Sequence, residues 1–251
     1  MLRDDKRIRI IVGHYGSGKT EFAVNYAMRL SKEISEYNFE NSKSQKVAIA
    51  DIDVVNPYFR SREKEDLLSE HNIESFSSIL KNSSLDLPAI AANITKPISN
   101  IDYEYIIDVG GDDVGAKVLG TISKDISKYE YDMFMVINKN RAYTNTAEKV
   151  IKYISDIERT SGLKVTGLVS NTHMLRETSE KDITDGIELI REVENMTGIP
   201  IRYITYWEKK SDLRKTISHN LKYSKNNTQL KQYNPDNVIM PIFMIMREEW
   251  M

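Results

Sequence analysis

Three observations predict an α/β fold with a mostly parallel sheet. Apolar strand-like segments alternate with helical ones at least six times along the 251 residues. Residues 132–137, Asp-Met-Phe-Met-Val-Ile, are nearly continuously apolar, as expected of a strand covered by helices on both faces. Residues 13–20, Gly-His-Tyr-Gly-Ser-Gly-Lys-Thr, form a glycine-rich bridge from a strand segment to a helical one.

Taken in order, residues 8–12 (Ile-Arg-Ile-Ile-Val) are the first strand, and helical spacing follows from about 18 to 35. The polar, Asn- and Ser-rich stretch 37–46 reads as a loop. A second strand at 47–50 ends in Asp51-Ile52-Asp53, and Asn56-Pro57 signals a turn. Residues 61–70 read as a charged surface helix and 73–76 as a short strand. The stretch 77–101 is irregular, broken by Pro88 and Pro97, with a short helix at 85–93. Strands at 105–109, 132–137, 165–169 and 201–205 then alternate with helices at 114–126, 144–159 and 180–196, the last stopped by Thr197-Gly198. A helix at 212–223 and a polar loop at 224–236 precede the apolar run 238–246, an edge strand or a tail that packs back. The expected organisation is one domain over 1–251, with an irregular insertion at about 77–101 and an extension after about 207.

Composition narrows the function. The chain has no cysteine, which excludes disulfides, thiolate metal sites and cysteine nucleophiles. Its four histidines, His14, His71, His173 and His219, have no metal-ligand spacing. The net charge of −2 with no strongly basic segment gives no indication of a nucleic-acid partner. No run approaches a membrane span, and the charged residues 1–7 do not resemble a secretion signal, so a soluble cytoplasmic protein is expected.

Residues 13–20 match the phosphate-loop pattern G-x-x-x-x-G-K-[ST] at every fixed position. Glycines let the backbone bend round a phosphate so that successive amides point inward, and the following helix adds its positive end. The expected nucleotide-binding set is Gly13, His14, Tyr15, Gly16, Ser17, Gly18, Lys19, Thr20 and Glu21. Lys19 is expected to reach the β- and γ-phosphates, and the Thr20 hydroxyl to ligate Mg²⁺.

In parallel α/β sheets, ligands gather at the carboxyl ends of the strands. Asp51, Asp53, Asp108, Gly111, Asn138 and Asn171 all follow strands and belong on that rim. Asp108 opens Asp-Val-Gly-Gly, the pattern of an aspartate that supports Mg²⁺, and Gly111 can offer its N–H to a γ-phosphate. Of Asp112 and Asp113, at least one is expected to face solvent or cap the next helix. Strand alternation points Asp51 and Asp53 the same way, one to hold metal-bound water, the other to orient an attacking water or a substrate. Arg60, Arg62 and Arg141 are candidate charge stabilisers. His14 is weighed between a phosphate or subunit contact and plain exposure. Asn138 is weighed between a base contact and a strand-end turn. Trp207 and Trp250 read as packing residues.

An asparagine amide can both donate to and accept from a purine edge, which makes Asn171 a base-binding candidate. Asn138-Lys139-Asn140-Arg141 begins like the guanine-reading Asn-Lys-x-Asp but ends in arginine. Without that carboxylate, adenine is the better reading.

These residues resemble the MinD/ParA-like branch of phosphate-loop ATPases, which groups with CobQ/CobB and the signal-recognition-type GTPases. The phosphate loop, Asp51-Ile52-Asp53, Asp108-Val109-Gly110-Gly111 and Asn171 carry the resemblance, which runs from about Arg7 to Thr205. It weakens over 61–101 and after Trp207. The longer strings through Glu21, from Asp53 to Glu63, and from Asp108 to Ala116 are similar to a little-characterised bacterial group described as nucleotide-binding or ATP-binding. The resemblance implies a three-layer fold with a sheet of seven or eight strands, ATP with Mg²⁺, and a nucleotide-bridged homodimer. It implies phosphate and magnesium roles for Lys19 and Thr20, and water activation by Asp53. Asp51 and Asp108 would lie on the metal side, and Asn171 would bind the base. His14 stands where MinD and ParA carry a lysine that reaches across the dimer, and Arg60 or Arg141 is a candidate substitute. The last residues, Met246-Arg247-Glu248-Glu249-Trp250-Met251, do not resemble the membrane helix of MinD.

The expected function is Mg²⁺-dependent binding and slow hydrolysis of ATP to ADP, acting as a conformational switch toward an unidentified protein partner. Residues 56–62 and the Gly110-Gly111 turn are the segments expected to move. The alternative is an ATP-dependent synthetase or small-molecule kinase of the CobQ/CobB and dethiobiotin-synthetase type. There Asp53 would position an acceptor, and 77–101 would form its pocket. A metallochaperone GTPase is disfavoured by the missing cysteines and the missing guanine-reading Asp. A binding module without turnover is the fourth reading.

Overall fold

The computed structural model describes residues 4–53, 65–77, 94–222 and 233–246. Eight strands form one sheet: β1 (Ile8–Val12), β2 (Lys46–Asp51), β3 (Ile73–Ser77), β4 (Tyr103–Asp108), β5 (Tyr131–Ile137), β6 (Gly167–Ser170), β7 (Ile201–Trp207) and β8 (Ile239–Ile242). Their order is β3-β2-β4-β1-β5-β6-β7-β8, and every neighbouring pair is parallel. Parallel neighbours require crossover connections, and helices supply them.

The helices are α1 (Lys19–Asn41), α2 (Glu65–Glu70), α3 (residues 94–99), α4 (Asp113–Ile126), α5 (Ala147–Ser161), α6 (Glu180–Thr197), α7 (Asp212–Lys222) and α8 (Pro235–Val238). Strand alternation divides the core between two faces. Ile8, Ile10 and Val12 of β1 pack with the apolar stripes of α3 to α7, whereas Ile11 packs with Phe22, Ala23 and Tyr26 of α1. The result is the expected three-layer α/β fold with helices on both faces of the sheet.

Several boundaries differ from the sequence expectation. Residues 37–41 continue α1 rather than forming a loop. The amide of Asn38 donates to the Gln45 carbonyl at 2.7 Å and accepts the Gln45 N–H at 3.0 Å, and Ser42 turns left-handed to close the helix. That local closure needs no apolar stripe, so hydrophobic periodicity does not report it. The helix expected from 144 begins at Ala147, behind the Thr146 cap, and the strand expected at 165–169 occupies Gly167–Ser170. Part of the polar stretch 224–236 enters the short helix α8. The run 238–246 satisfies both alternatives: β8 is an edge strand beside β7, and 243–246 turns back onto α1. The helix expected at 85–93 and most of the irregular 77–101 stretch lie outside the described residues.

On the α1 face, Arg9 is fully buried. Its guanidinium pairs with Glu104 and donates to the Tyr26 hydroxyl at 3.1 Å and the Arg7 carbonyl at 3.0 Å. Tyr26, Tyr203 and Arg202 converge on Asp5. This network ties the start of β1 to α1 and β7, so it orients the strand that leads into residues 13–20. Among the described residues, no helix is long and apolar enough to cross a membrane.

Candidate functional site at the carboxyl end of the sheet

The loop between β1 and α1 takes a shape that only glycine accepts at two points. Gly16 (φ 74°) and Gly18 (φ 81°) lie in the left-handed region. A Cβ on Gly18 would fall 2.3 Å from the Asn171 amide nitrogen. The Ser17 N–H donates to the His14 carbonyl at 3.0 Å, closing the loop, and Lys19 opens α1.

β2 and β4 bring three carboxylates to the same place. Asp51 and Asp108 are register partners at the ends of neighbouring strands. The Thr20 hydroxyl donates to Asp108 Oδ2 at 2.7 Å. The other carboxylate oxygen, Asp108 Oδ1, is buried with no hydrogen-bond partner among the described residues. A buried carboxylate oxygen beside a hydroxyl and a phosphate loop suits a cation or its bound water. Burial pushes the Asp108 carboxyl up to about 6, and Asp53 adds to the rise. Lys19 and the Thr20 hydrogen bond oppose it, yet desolvation wins.

Lys19 and Asp53 are both buried, with Nζ 3.6 Å from Oδ2. The Asp53 N–H donates to Asp51 Oδ1 at 2.9 Å, so Asp51 closes the turn that aims Asp53 at Lys19. The turn after β4 is pressed against the loop: a Cβ on Gly111 would meet the Tyr15 nitrogen at 2.7 Å. The Gly111 carbonyl accepts the Tyr153 hydroxyl at 3.1 Å. Asp112 caps α4 through the Gly115 N–H at 2.9 Å and Asp113 is exposed, as expected of that pair.

A cavity of about 420 Å³ opens beside the loop. Asn171 lines it, donating from Nδ2 to the Ser17 carbonyl at 2.7 Å while Oδ1 accepts the Thr205 hydroxyl. One N–H and one acceptor lone pair of that amide remain by count for a ligand. Arg141 also lines the cavity, and its Nε donates to the Gly16 carbonyl at 2.9 Å.

The structure thus brings together Gly13 to Thr20, Asp51, Asp53, Asp108, Gly111, Asn171 and Arg141. Other candidates are engaged differently. His14 stacks on Tyr143, with ring centroids 4.6 Å apart. Tyr15 is exposed. Glu21 lines the cavity, but its carboxylate accepts main-chain N–H groups of Ile245 and Met246. Asn138 is fully buried and serves the strand-end turn, accepting the Asn140 N–H at 3.0 Å. Arg60 and Arg62 lie outside the described residues, as does the turn at 56–62. Sequence reasoning missed Thr205, Ile242, Met244 and Met246. Trp207, read as packing, lines the cavity instead. Its place at the end of β7, on the same rim as Asn171, was the available signal.

No family model matches the sequence, and no curated protein matches it. Among solved structures, the signal recognition particle 54 kDa protein of Aeropyrum pernix K1, in complex with GDP, aligns at TM-score 0.50 and 17% identity. The match covers 78% of this chain and 40% of that one. This likeness is one of fold: helices on both faces of a mostly parallel sheet. The signal recognition particle receptor FtsY of Elizabethkingia anophelis, in complex with GDP, aligns at 0.45 and 18% identity, over 79% of this chain and 56% of that one. A nucleotide-binding protein of Archaeoglobus fulgidus in complex with ADP aligns at 0.42 and 16%, over 87% and 90%. The chain therefore spans well under two thirds of the two signal-recognition chains. In this three-layer fold, the loop, the Asp108 turn and Asn171 occupy one rim of the sheet. Among the described residues, no group of three or more His, Asp or Glu side chains could hold a metal by itself. A cation here would need ligand oxygens beyond Thr20 and Asp108, as nucleotide phosphates supply.

Proposed function

We propose that this chain is a Mg²⁺-dependent ATP-binding protein of the MinD/ParA-like branch, which hydrolyses ATP slowly and uses the γ-phosphate as a switch. The observation that carries the reading is Asp108. Its carboxylate is buried and half-satisfied, and it is joined to the Thr20 hydroxyl directly behind the phosphate loop. Mg²⁺, when bound, neutralises charge on the β- and γ-phosphates. Thr20 and Asp108 would hold it, with Asp51 on the same side of the sheet. Lys19 exchanges its contact with Asp53 for the phosphates, which leaves the Asp53 carboxylate to orient the attacking water and take its proton. The amides of residues 13–20 and the α1 N-terminus hold the phosphate charge.

The close packing of Gly111 on Tyr15 supports a switch, because a γ-phosphate entering there must change how the two turns meet. Adenine is favoured because the fourth position of the stretch that begins at Asn138 is Arg141, whose Nε donates to the Gly16 carbonyl, so no carboxylate stands there to pair with guanine. A protein partner or a second copy would read the switch.

Phosphate release from ATP and from GTP, measured for the wild type and for Asp53→Asn, tests the reading. Slow, ATP-selective, Mg²⁺-dependent release that Asp53→Asn abolishes is expected. Absence of release from the wild type with saturating ATP overturns the hydrolase. Selectivity for GTP overturns the base assignment, and release strongly stimulated by a small carboxylate points to the synthetase.

A further inference from the structure

The cavity beside the phosphate loop has a C-terminal wall. Ile242, Met244 and Met246 line it together with Asn171 and Trp207. Ile242, Met244 and Met246 are more than 220 positions from the loop in sequence, yet the first turns of α1 hold this segment in place. Asn25, almost wholly buried, accepts the Phe243 N–H at 2.7 Å and donates to the Phe243 carbonyl at 2.9 Å. Its second amide hydrogen goes to the Glu21 carbonyl at 2.8 Å, so both amide hydrogens are used and the group is fixed in orientation. One turn earlier, the Glu21 carboxylate accepts the Met246 N–H at 3.1 Å and the Ile245 N–H. Asn25 and Glu21 sit at i and i+4 spacing on one helical face. Together they give 243–246 the hydrogen bonds that another strand would otherwise provide.

We propose that residues 242–246 form the nucleobase wall of the site, and that Glu21 and Asn25 are positioning residues for the base rather than phosphate contacts. The inference rests on the nucleotide reading above and assigns its specificity half. The ligand class is a flat, aromatic purine. Thioether and aliphatic groups suit its faces, because sulfur is polarizable and the unbranched Met chain adapts to a ring edge. Asn171 supplies the polar contact that orients it. Glu21 directly follows Thr20, so the same turn of helix that holds the metal-side hydroxyl also holds the base wall. Charge-assisted main-chain hydrogen bonds to a carboxylate are about twice as strong as neutral ones, which suits Glu21 to clamp a segment with little other structure.

The test compares two probes under Mg²⁺: ATP, which has a base, and inorganic tripolyphosphate, which has none. For Met244→Ala/Met246→Ala, ATP affinity is expected to fall at least tenfold with tripolyphosphate affinity within twofold of wild type. Glu21→Ala is expected to reproduce the selective ATP loss. Glu21→Gln keeps a carbonyl acceptor and is expected to recover most of it. An ATP affinity unchanged in the methionine variant overturns the wall. Equal loss of both probes in the methionine variant and in Glu21→Gln also overturns it, because the segment would then act on the fold or the loop. If the wild type binds tripolyphosphate but binds ATP no better, the base wall fails while the phosphate site stands. If it binds neither, the nucleotide reading itself fails, and the wall with it.

Discussion

The Thr20 hydroxyl and the Asp108 carboxylate meet at 2.7 Å, joining the first turn of α1 to the end of β4. This bond crosses 88 residues of sequence and fixes the end of β4 against the start of α1. It also leaves one oxygen of a buried carboxylate without a partner among the described residues. The protein's own described atoms thus satisfy that carboxylate only in part.

Stability should therefore respond to the protonation of Asp108. Its carboxyl titrates near 6 in the folded protein against 3.8 ordinarily, so the folded state holds the proton more tightly than the unfolded chain. The associated stabilisation is complete below about pH 4 and is lost as pH rises through about 6. Asp108→Asn removes this dependence. In ligand-free melts the variant is expected to exceed the wild type in Tm at pH 7.5, with the gap closing toward pH 4.5. A gap that stays constant, or widens on acidification, would contradict the assignment.

Binding and turnover should separate at Asp53. On the proposed reading Lys19 rather than Asp53 holds the phosphates, so Asp53→Asn is expected to keep ATP affinity within about threefold. Loss of a general base typically lowers the rate by about 10²- to 10⁴-fold. Titration calorimetry beside steady-state phosphate release reads both quantities. Parallel loss of the two would place Asp53 in binding.

Gly18 tolerates no side chain. Its positive φ and the 2.3 Å approach of the Asn171 amide both oppose a Cβ. Gly18→Ala should cost about 1–3 kcal/mol of stability, from strain and crowding. It should weaken nucleotide binding more than Gly162→Ala, which is also left-handed but lies at the C-cap of α5, far from the loop in sequence. Denaturant melts and ATP titration distinguish the two variants.

Arg9 makes a contrasting case. Fully buried and paired with Glu104, it belongs to structure rather than to the site. Arg9→Ala should destabilise the fold by about 3–5 kcal/mol, because it breaks a buried ion pair by removing one partner. Chemical denaturation of the variant measures the loss, and a change below 1 kcal/mol would mean the network is dispensable.

Much of this site was legible because its residues follow strands. The G-x-x-x-x-G-K-[ST] pattern, Asp51, Asp53, Asp108 and Asn171 each mark a strand end, and a parallel sheet necessarily gathers strand ends on one rim. The strands β1, β4 and β5 were equally plain, since both faces are covered and apolar residues predominate in each. What escaped depends on contacts between distant segments. Nothing local in Phe243 or Met246 points to Asn25 and Glu21. The Asn171–Thr205 bond needs the β6–β7 pairing to exist first. Trp207 was misread because an aromatic residue at a strand end has the same sequence appearance whether it packs in the core or lines a cavity. Residues 37–41 were misread because a side-chain bond from Asn38, rather than an apolar stripe, ends α1.

Residues 13–20 are proposed to bind the phosphates of a nucleotide through Lys19. The most direct test is calorimetric titration of Mg²⁺-ATP into the wild type and into Lys19→Ala, with circular dichroism to establish that the variant is folded. Saturable one-site binding by the wild type and at least a hundredfold weaker binding by the variant are expected. Equal affinity in the two folded proteins would contradict that role for Lys19.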